Sequence, residues 1–140
     1  MATFNKFHAF VENLAEGVHN LQSHQLTVTL TDVSPSNASA AVIGDITPCT
    51  GLANLSSRNI TAAVTSPSAQ SGGTYKLVVQ DLVLTASPAV GPFRYAVVYN
   101  STASTSPLIG FYDYGSSITL QTGETITLDF DQSAGLLTIA

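Results

Sequence analysis

The chain has 140 residues, of which 44% are hydrophobic and only 9% are charged, and its formal net charge is −5. The single cysteine excludes an intrachain disulfide and a cysteine-based zinc cluster. An acidic chain without a basic cluster is not expected to bind nucleic acid directly, because such binding depends on Lys and Arg at phosphates. Free globular domains carry about 25% charged residues, so this composition predicts an exterior that is largely covered by other subunits.

The length predicts a single domain, 1–140, with an N-terminal helix in 1–21 and an antiparallel β domain in 25–140. We expect a mainly β, α+β fold, which is a sandwich or meander of about seven to eight antiparallel strands with one amphipathic helix packed on it. No stretch is apolar enough to cross a membrane. The first residues lack the basic and apolar regions of a secretory signal, which favours assembly in the cytoplasm.

Hydrophobic residues recur at spacings of three and four near the N-terminus, which is typical of one face of an amphipathic helix. The pattern predicts a helix over residues 3–21 with Thr3 as its N-cap. Gly17 falls inside the pattern, where glycine costs about 1 kcal/mol relative to alanine, so we expect packing to hold the last turn. The residues of the apolar face are Phe7, Phe10, Val11, Leu14, Val18 and Leu21.

The hydrophobic period changes to two after residue 23. Leu26, Val28 and Leu30 alternate with threonines, which predicts a strand with one buried face. Ser, Pro, Asn and Ala then predict a loop over 32–40. The signals that follow are weaker. We expect irregular structure or one short helical turn over residues 41–59. A short strand over 60–65 and an exposed polar turn over 66–73 should follow.

Residues 74–86 are long enough for one strand, but their apolar side chains change face midway. A β-bulge near Gln80 and Asp81 would explain the change, because one extra residue transfers the apolar set between faces. Turns at Pro88 and at Gly91–Pro92 follow. Two more strands are predicted, over 93–99 and 108–114, with a Ser/Thr-rich loop between them and Gly115 ending the second.

The C-terminal region carries the clearest strand signal. Apolar residues alternate with polar ones on both sides of the turn Gln-Thr-Gly-Glu at 121–124, and this predicts a hairpin in which Gly123 supplies the positive φ. A second turn at 132–135 leads into a last strand over 136–139. The apolar residues of the hairpin are Ile118, Leu120, Ile126, Leu128 and Phe130.

The polar residues indicate no catalytic residue, no metal site and no cofactor, and we therefore expect a protein that is not an enzyme. His8, His19 and His24 lack the i, i+4 spacing that places two histidines on one metal, and we interpret them as surface or loop residues. Cys49 has no basic neighbour in the sequence that would lower its pKa.

Four acidic residues, Asp113, Glu124, Asp129 and Asp131, are candidates for a metal or catalytic site. Asp129 and Asp131 share one face of a predicted strand and could help to hold Ca²⁺, but they lack the spacing of a calcium loop, and a solvated face fits better. A glycosidase-like pair of Asp113 with Glu124 has nothing else that marks a sugar cleft.

An aromatic group on the last predicted strands is the candidate interface. Core packing with cross-strand pairing explains such a group, and an interface is the alternative, because Tyr and Phe are enriched there. Phe111 and Asp113 point to one face and the two neighbouring tyrosines to the other, so one face has mixed polarity. We expect contacts with neighbouring subunits at a sheet edge around 111–114 and at the loops of 32–73. The candidate interface residues are Phe111, Tyr112, Tyr114, Tyr95 and Tyr99.

Four segments together resemble a family of small virion structural proteins of tailed bacteriophages. They are MATFNKFHAFVENLAEGVHNL (1–21), GPFRYAVVYN (91–100), PLIGFYDYGSSITLQTGETITLDFD (107–131) and GLLTIA (135–140). The resemblance implies a homo-oligomeric capsid decoration or cement protein of the virion, assembled in the host cytoplasm, whose partners are the major capsid protein or other virion proteins. It brings no catalytic residue, and residues 32–73 resemble the family least.

Three alternatives remain open at this point. A head–tail connector or tail structural protein would form a ring with far fewer copies per virion than a capsid lattice has. A host-surface binding module would present an exposed Trp- or Tyr-lined platform, and the chain has no Trp. A small hydrolase would need a convergent polar pocket, which the sequence does not indicate.

Overall fold

The computed structural model describes residues 3–60, 68–131 and 133–140, and these form the expected mainly β fold with one α-helix near the N-terminus. Two single 3₁₀ turns, Ile43–Asp45 and Leu52–Asn54, lie between the second and third strands. No helix of the described residues is long and apolar enough to cross a membrane. The elements in chain order are β1 Thr3–Lys6, α1 His8–Ala15, β2 Leu26–Thr31, β3 Ala69–Ser71, β4 Thr74–Leu77, β5 Leu82–Thr85, β6 Val90–Asn100, β7 Leu108–Leu120, β8 Thr125–Leu128 and β9 Leu137–Ile139.

The main sheet has the strand order β1-β7-β6-β2, and all its pairs are antiparallel. Its centre is the long pair β6 and β7. Two smaller sheets, β3-β4-β9 and β5-β8, pack on one face of the main sheet, which gives a sandwich-like arrangement. Buried residues from all three sheets form this larger core, among them Val28, Leu30, Leu77, Leu84, Phe93, Val98, Leu128 and Leu137.

The opposite face of the main sheet carries a smaller core. Its cover comes from the start of α1 and from the loop that follows β2. The smaller core consists of Phe7, Ala40, Ile46, Tyr95, Val97, Leu108 and Phe111. Because both faces are covered, every residue of β2 is buried, its threonines included. The predicted strand at 26–31 is thus confirmed, but the expectation of a single buried face is wrong.

The N-terminal helix is shorter than predicted and starts later. Residues 3–6 form β1, which pairs with β7 from Asp113 back to Gly110, so Thr3 is not the N-cap. That position belongs to Phe7, whose side chain is fully buried and makes no capping hydrogen bond. Strand pairing has overridden the helical pattern here, and Val11 of the predicted apolar face is 57% exposed.

Gly17 ends α1 and does not lie inside it. Its φ is +79°, and the N–H groups of Gly17 and Val18 donate to the carbonyl oxygens of Leu14 and Asn13 at 3.3 and 2.9 Å. This pair of bonds is the Schellman motif, which satisfies carbonyls at a helix end and favours glycine in the left-handed region.

Residues 74–86 form two strands and not one bulged strand. β4 pairs with β9 and β5 pairs with β8, so the chain passes from one small sheet to the other at 78–81, close to the predicted bulge. Asp81 supports the crossing, because its Oδ1 accepts the N–H of Phe130 at 3.0 Å. The change of apolar face therefore marks a change of sheet.

The two central strands extend beyond their predicted ends. β6 runs through Gly91–Pro92, and β7 continues past Gly115 to Leu120, with register shifts along the pair. The Gly123 turn is present, with φ +88°, but the strand after it pairs with β5 and not with β7. The predicted hairpin is therefore wrong in its partner, although its turn is right.

The loop at 32–40 is confirmed. Residues 41–59 contain two short 3₁₀ turns where at most one was expected, and 66–73 include the short strand β3. Of the predicted strand at 60–65, only Ile60 belongs to the described residues, and Gln132 of the second predicted turn lies outside them.

Candidate functional site

The five candidate interface residues divide between the two faces of the main sheet. Tyr95 and Phe111 are buried in the smaller core, with ring centroids 6.1 Å apart, and Tyr99 packs against it. Tyr112 is buried in the larger core, and Tyr114 packs against that core. The predicted alternation along 111–114 is therefore present. Only Tyr99 and Tyr114 are partly exposed, and they lie on opposite faces.

The run 111–114 lies inside the main sheet and not at its edge. β7 pairs with β1 along one edge and with β6 along the other. The expectation of a sheet edge at this place is wrong, because the segment expected to be helical pairs here as β1. The terminal strands of the main sheet are β1 and β2.

Burial changes the acidity of the two neighbouring tyrosines. It raises the pKa of Tyr112 well above its usual range, with further contributions from Tyr114 and from the carboxylates of Asp129, Asp131 and Asp81. It also raises the pKa of Tyr114 to about 12, to which the charge of Asp129 adds. Both phenols are therefore neutral across the physiological range.

Asp113 binds Arg94 through two hydrogen bonds and is not paired with Glu124. Arg94 Nε and Nη2 donate to Oδ1 and Oδ2 at 2.8 and 3.1 Å. The hydrogen bond from Arg94 and that from the Gly115 N–H hold the pKa of Asp113 below its usual range. Glu124 accepts the N–H of Gln121 within its own turn. Each carboxylate is thus engaged locally.

The last acidic residues shape a turn. Asp129 Oδ1 accepts the N–H of Asp131, whose own Oδ1 accepts the N–H groups of Ser133 and Ala134. Within the described ranges, no group of three or more His, Cys, Asp or Glu residues could hold a metal ion. Cys49 is buried, and burial raises the pKa of its thiol, which lowers the fraction of reactive thiolate.

His19, Asn100 and His24 form a polar cluster between the end of β6 and the connection after α1. Asn100 ends β6 and is fully buried, His19 is 6% exposed, and His24 is half-buried. The two histidines come from the connection between α1 and β2. Nδ2 of Asn100 lies 3.0 Å from Nδ1 of His19 and 2.8 Å from Nδ1 of His24.

His19 packs against an aromatic ring. The Phe10 ring lies 5.1 Å from its ring, and its buried Nε2 has no hydrogen-bond partner among the residues that the structure describes. Burial lowers the pKa of His19, and a protonated His24 would lower it further. The interpretation of the histidines as surface or loop residues fits exposed His8 and the loop positions of His19 and His24, but it did not include the burial of His19.

The sequence carried one signal for this cluster. Asn100 follows the run Tyr-Ala-Val-Val-Tyr and shares its face with Ala96 and Val98, which are buried. A polar side chain on a buried strand face needs hydrogen-bond partners. The sequence does not show that those partners are histidines about 80 residues earlier in the chain.

No protein-family model, no curated protein and no solved structure matches this chain.

Proposed function

We propose that this chain is a structural component of a tailed-bacteriophage virion, and that it decorates and cements the capsid by bridging neighbouring subunits. The observation that carries the proposal is the low charge of the exterior, because the whole chain has 4 basic and 9 acidic residues. Burying a charge between subunits is costly unless the charge is paired. A neighbouring subunit can therefore cover a surface with few charges at a small free-energy cost for buried charge.

Contacts within the chain already engage most of its basic side chains. Arg94 binds Asp113, Arg58 donates to the carbonyl oxygen of Val28 at 2.6 Å, and Lys76 donates to that of Ser133 at 2.8 Å. Three of the 4 basic side chains are thus already bound to acceptors of the same chain. Within the ranges that the structure describes, only Arg94 of these three is paired with a carboxylate, so its charge meets the condition for burial at low cost.

Apolar side chains are exposed at three separate places. Val11 on α1, Val33 in the loop after β2 and Val83 on β5 are 57%, 60% and 53% exposed. Among the described residues β3 ends its sheet, and edge strands are places where a second chain can add main-chain hydrogen bonds. These features suit a protein that contacts more than one neighbour.

A capsid lattice would make modest contacts sufficient. A stable protein interface buries about 1,200–2,000 Å², and repeated copies on a lattice raise the effective concentration of each contact. The resemblance of four segments to phage virion proteins supports this setting. The same low charge would also serve a connector or tail ring, which differs in the number of copies bound.

The test is binding of the purified chain to expanded capsid shells of the parent phage that lack it. We expect saturable co-sedimentation with expanded shells and much weaker binding to unexpanded ones, because a cement protein would bridge subunits after expansion. Saturation at about six or twelve copies would indicate a ring with cyclic symmetry. No binding to either kind of shell would contradict the proposal.

Single lysine substitutions at the three exposed valines identify the covered surface. V11K, V33K and V83K each add a charge without opening the core, so their unfolding free energies should stay close to that of the wild type. At least one of them should lose shell binding, and the others serve as its matched controls. Undiminished binding by all three would contradict a role for these apolar sites.

A further inference from the structure

The orientation of the Asn100 side chain is fixed by the loop that follows it. Its Oδ1 accepts the backbone N–H groups of Thr102 and Ala103 at 3.0 and 3.1 Å. A reversed amide would direct its own N–H groups at these two donors. The amide nitrogen Nδ2 must therefore face the two imidazoles, and it can only donate.

This orientation determines the protonation of both histidines. Nδ1 of His19 and Nδ1 of His24 must each accept a hydrogen bond from Asn100, so each ring carries its proton on Nε2 and is neutral. The backbone N–H of Asn20 also donates to Nδ1 of His24, at 3.2 Å. A proton on either Nδ1 would place one donor against another.

Loop 101–106 also contacts Gln25, which follows the connection between α1 and β2, beside the cluster. Ser101 N–H donates to the carbonyl oxygen of Gln25 at 3.0 Å, and Gln25 N–H donates to Oγ1 of Thr102 at 2.8 Å. The loop then passes through Thr105 and Ser106, whose φ angles of +64° and +49° are unfavourable for residues other than glycine. Such a conformation persists only where surrounding contacts impose it.

Few titratable groups surround the cluster. Tyr75 of β4 lines the same shallow groove as His19, and Glu12 of α1 lines the groove beside His24. Burial places the pKa of His19 below its ordinary value of 6.5, so the unfolded chain binds this proton first as the pH falls. The stabilising contribution of neutral His19 is therefore complete above about pH 6.5 and is lost as the pH falls through the lower, folded value.

We propose that the His19–Asn100–His24 cluster is an acid-sensitive latch, which is closed while both imidazoles are neutral and releases loop 101–106 when either Nδ1 binds a proton. The release exchanges the Asn100 hydrogen bonds for hydration of an imidazolium. It also frees the N–H groups of Thr102 and Ala103 from Oδ1 of Asn100, so the strained loop is no longer held there. This behaviour follows from the hydrogen bonds of the cluster and does not depend on the proposed virion role.

The test is an NMR titration of the whole chain. Long-range ¹H–¹⁵N spectra at about pH 7.5 should show both rings with the proton on Nε2. Exchange protection of the Thr102 and Ala103 amides, corrected for the intrinsic pH dependence of exchange, should fall about tenfold or more between about pH 7.5 and 5. A proton on either Nδ1 at the higher pH, or constant protection across the range, would overturn the latch.

The variant Asn100→Asp should reverse the response. It keeps an oxygen that accepts from Thr102 and Ala103, but it replaces the donating Nδ2 by an acceptor that favours protonated imidazoles. Protection of the two loop amides should then hold or increase as the pH falls. If N100D still loses protection in acid as the wild type does, the latch is wrong.

Two control variants separate the latch from nearby charges. His8→Gln removes an exposed imidazole of α1 that lies outside the cluster, and Glu12→Gln removes the carboxylate beside His24. Both should keep the acid response of the wild type. Loss of the response in either variant would assign the effect to that residue and overturn the proposal.

Discussion

Gly110 of β7 leaves room for the ring of Phe4, which crosses the strand at this point. A Cβ on Gly110 would overlap that ring and would lie 2.8 Å from the carbonyl oxygen of Asn5. Since the backbone oxygen cannot turn away as a flexible side chain could, G110A should lower the free energy of unfolding by about 1–3 kcal/mol, measured by urea denaturation.

Gly44 provides the matched control for this substitution. A Cβ there would have no heavy atom within 4 Å, so G44A should stay within about 0.5 kcal/mol of the wild type. Equal stability of G110A and G44A would show that β1 does not lie against β7 as described.

Tyr114 gives a prediction at alkaline pH. Burial and the charge of Asp129 raise its pKa to about 12, above the value of about 10 for an unfolded tyrosine. The neutral phenol therefore stabilises the fold fully below about pH 10, and this contribution is lost as the pH rises towards the folded value. Unfolding free energy measured from about pH 9 to 11 should fall less steeply for Y114F than for the wild type. Identical slopes would contradict the burial of this ring.

At the residue scale, the sequence predicted the directions of side chains better than their burial. Alternation correctly separated Phe111 from Tyr112 and Tyr114, because side-chain direction in a strand follows from its period of two. It did not predict that both sides would be enclosed. That depends on the cover over each face, which comes from α1 and from distant loops and sheets.

The C-terminus of α1 is the clearest test at the scale of an element. Gly17 has φ +79°, and a Cβ added there would have no heavy atom within 4 Å. The loss of stability caused by a side chain would therefore come from the backbone conformation alone. G17A should destabilise the fold by about 1 kcal/mol. Asparagine tolerates the left-handed region better, so G17N should lose less. The comparison is made by thermal and urea unfolding, and a stabilised G17A would contradict the helix end described above.

Element boundaries were predictable where local signals acted alone. The turn at Gly123 and the strand Leu26–Thr31 follow from residue types and period. The partner of β8 does not, because Ala86 sets its register through hydrogen bonds with Gly123 and Glu124 at 2.7 and 3.0 Å. Pairing between residues far apart in the chain leaves no local pattern, and for the same reason the helical period at residues 3–6 does not reveal the pairing of β1 with β7.

At the scale of the whole molecule, composition and period predicted the fold class, since a chain of alternating strands with one amphipathic helix has few ways to bury its apolar faces. The His19–Asn100–His24 cluster was not predicted, because its members are adjacent only after the main sheet has formed. Low charge is likewise a property of the whole molecule. No single residue carries the proposed capsid role, and substitution at one site tests only part of it.

The most direct measurement of that role is the number of copies of this chain in purified virions, determined by quantitative mass spectrometry against the major capsid protein. A capsid decoration protein should be present in numbers comparable with the capsid lattice, on the order of hundreds per particle. Absence of the chain from purified virions, together with a lone soluble monomer in solution, would contradict the proposed function.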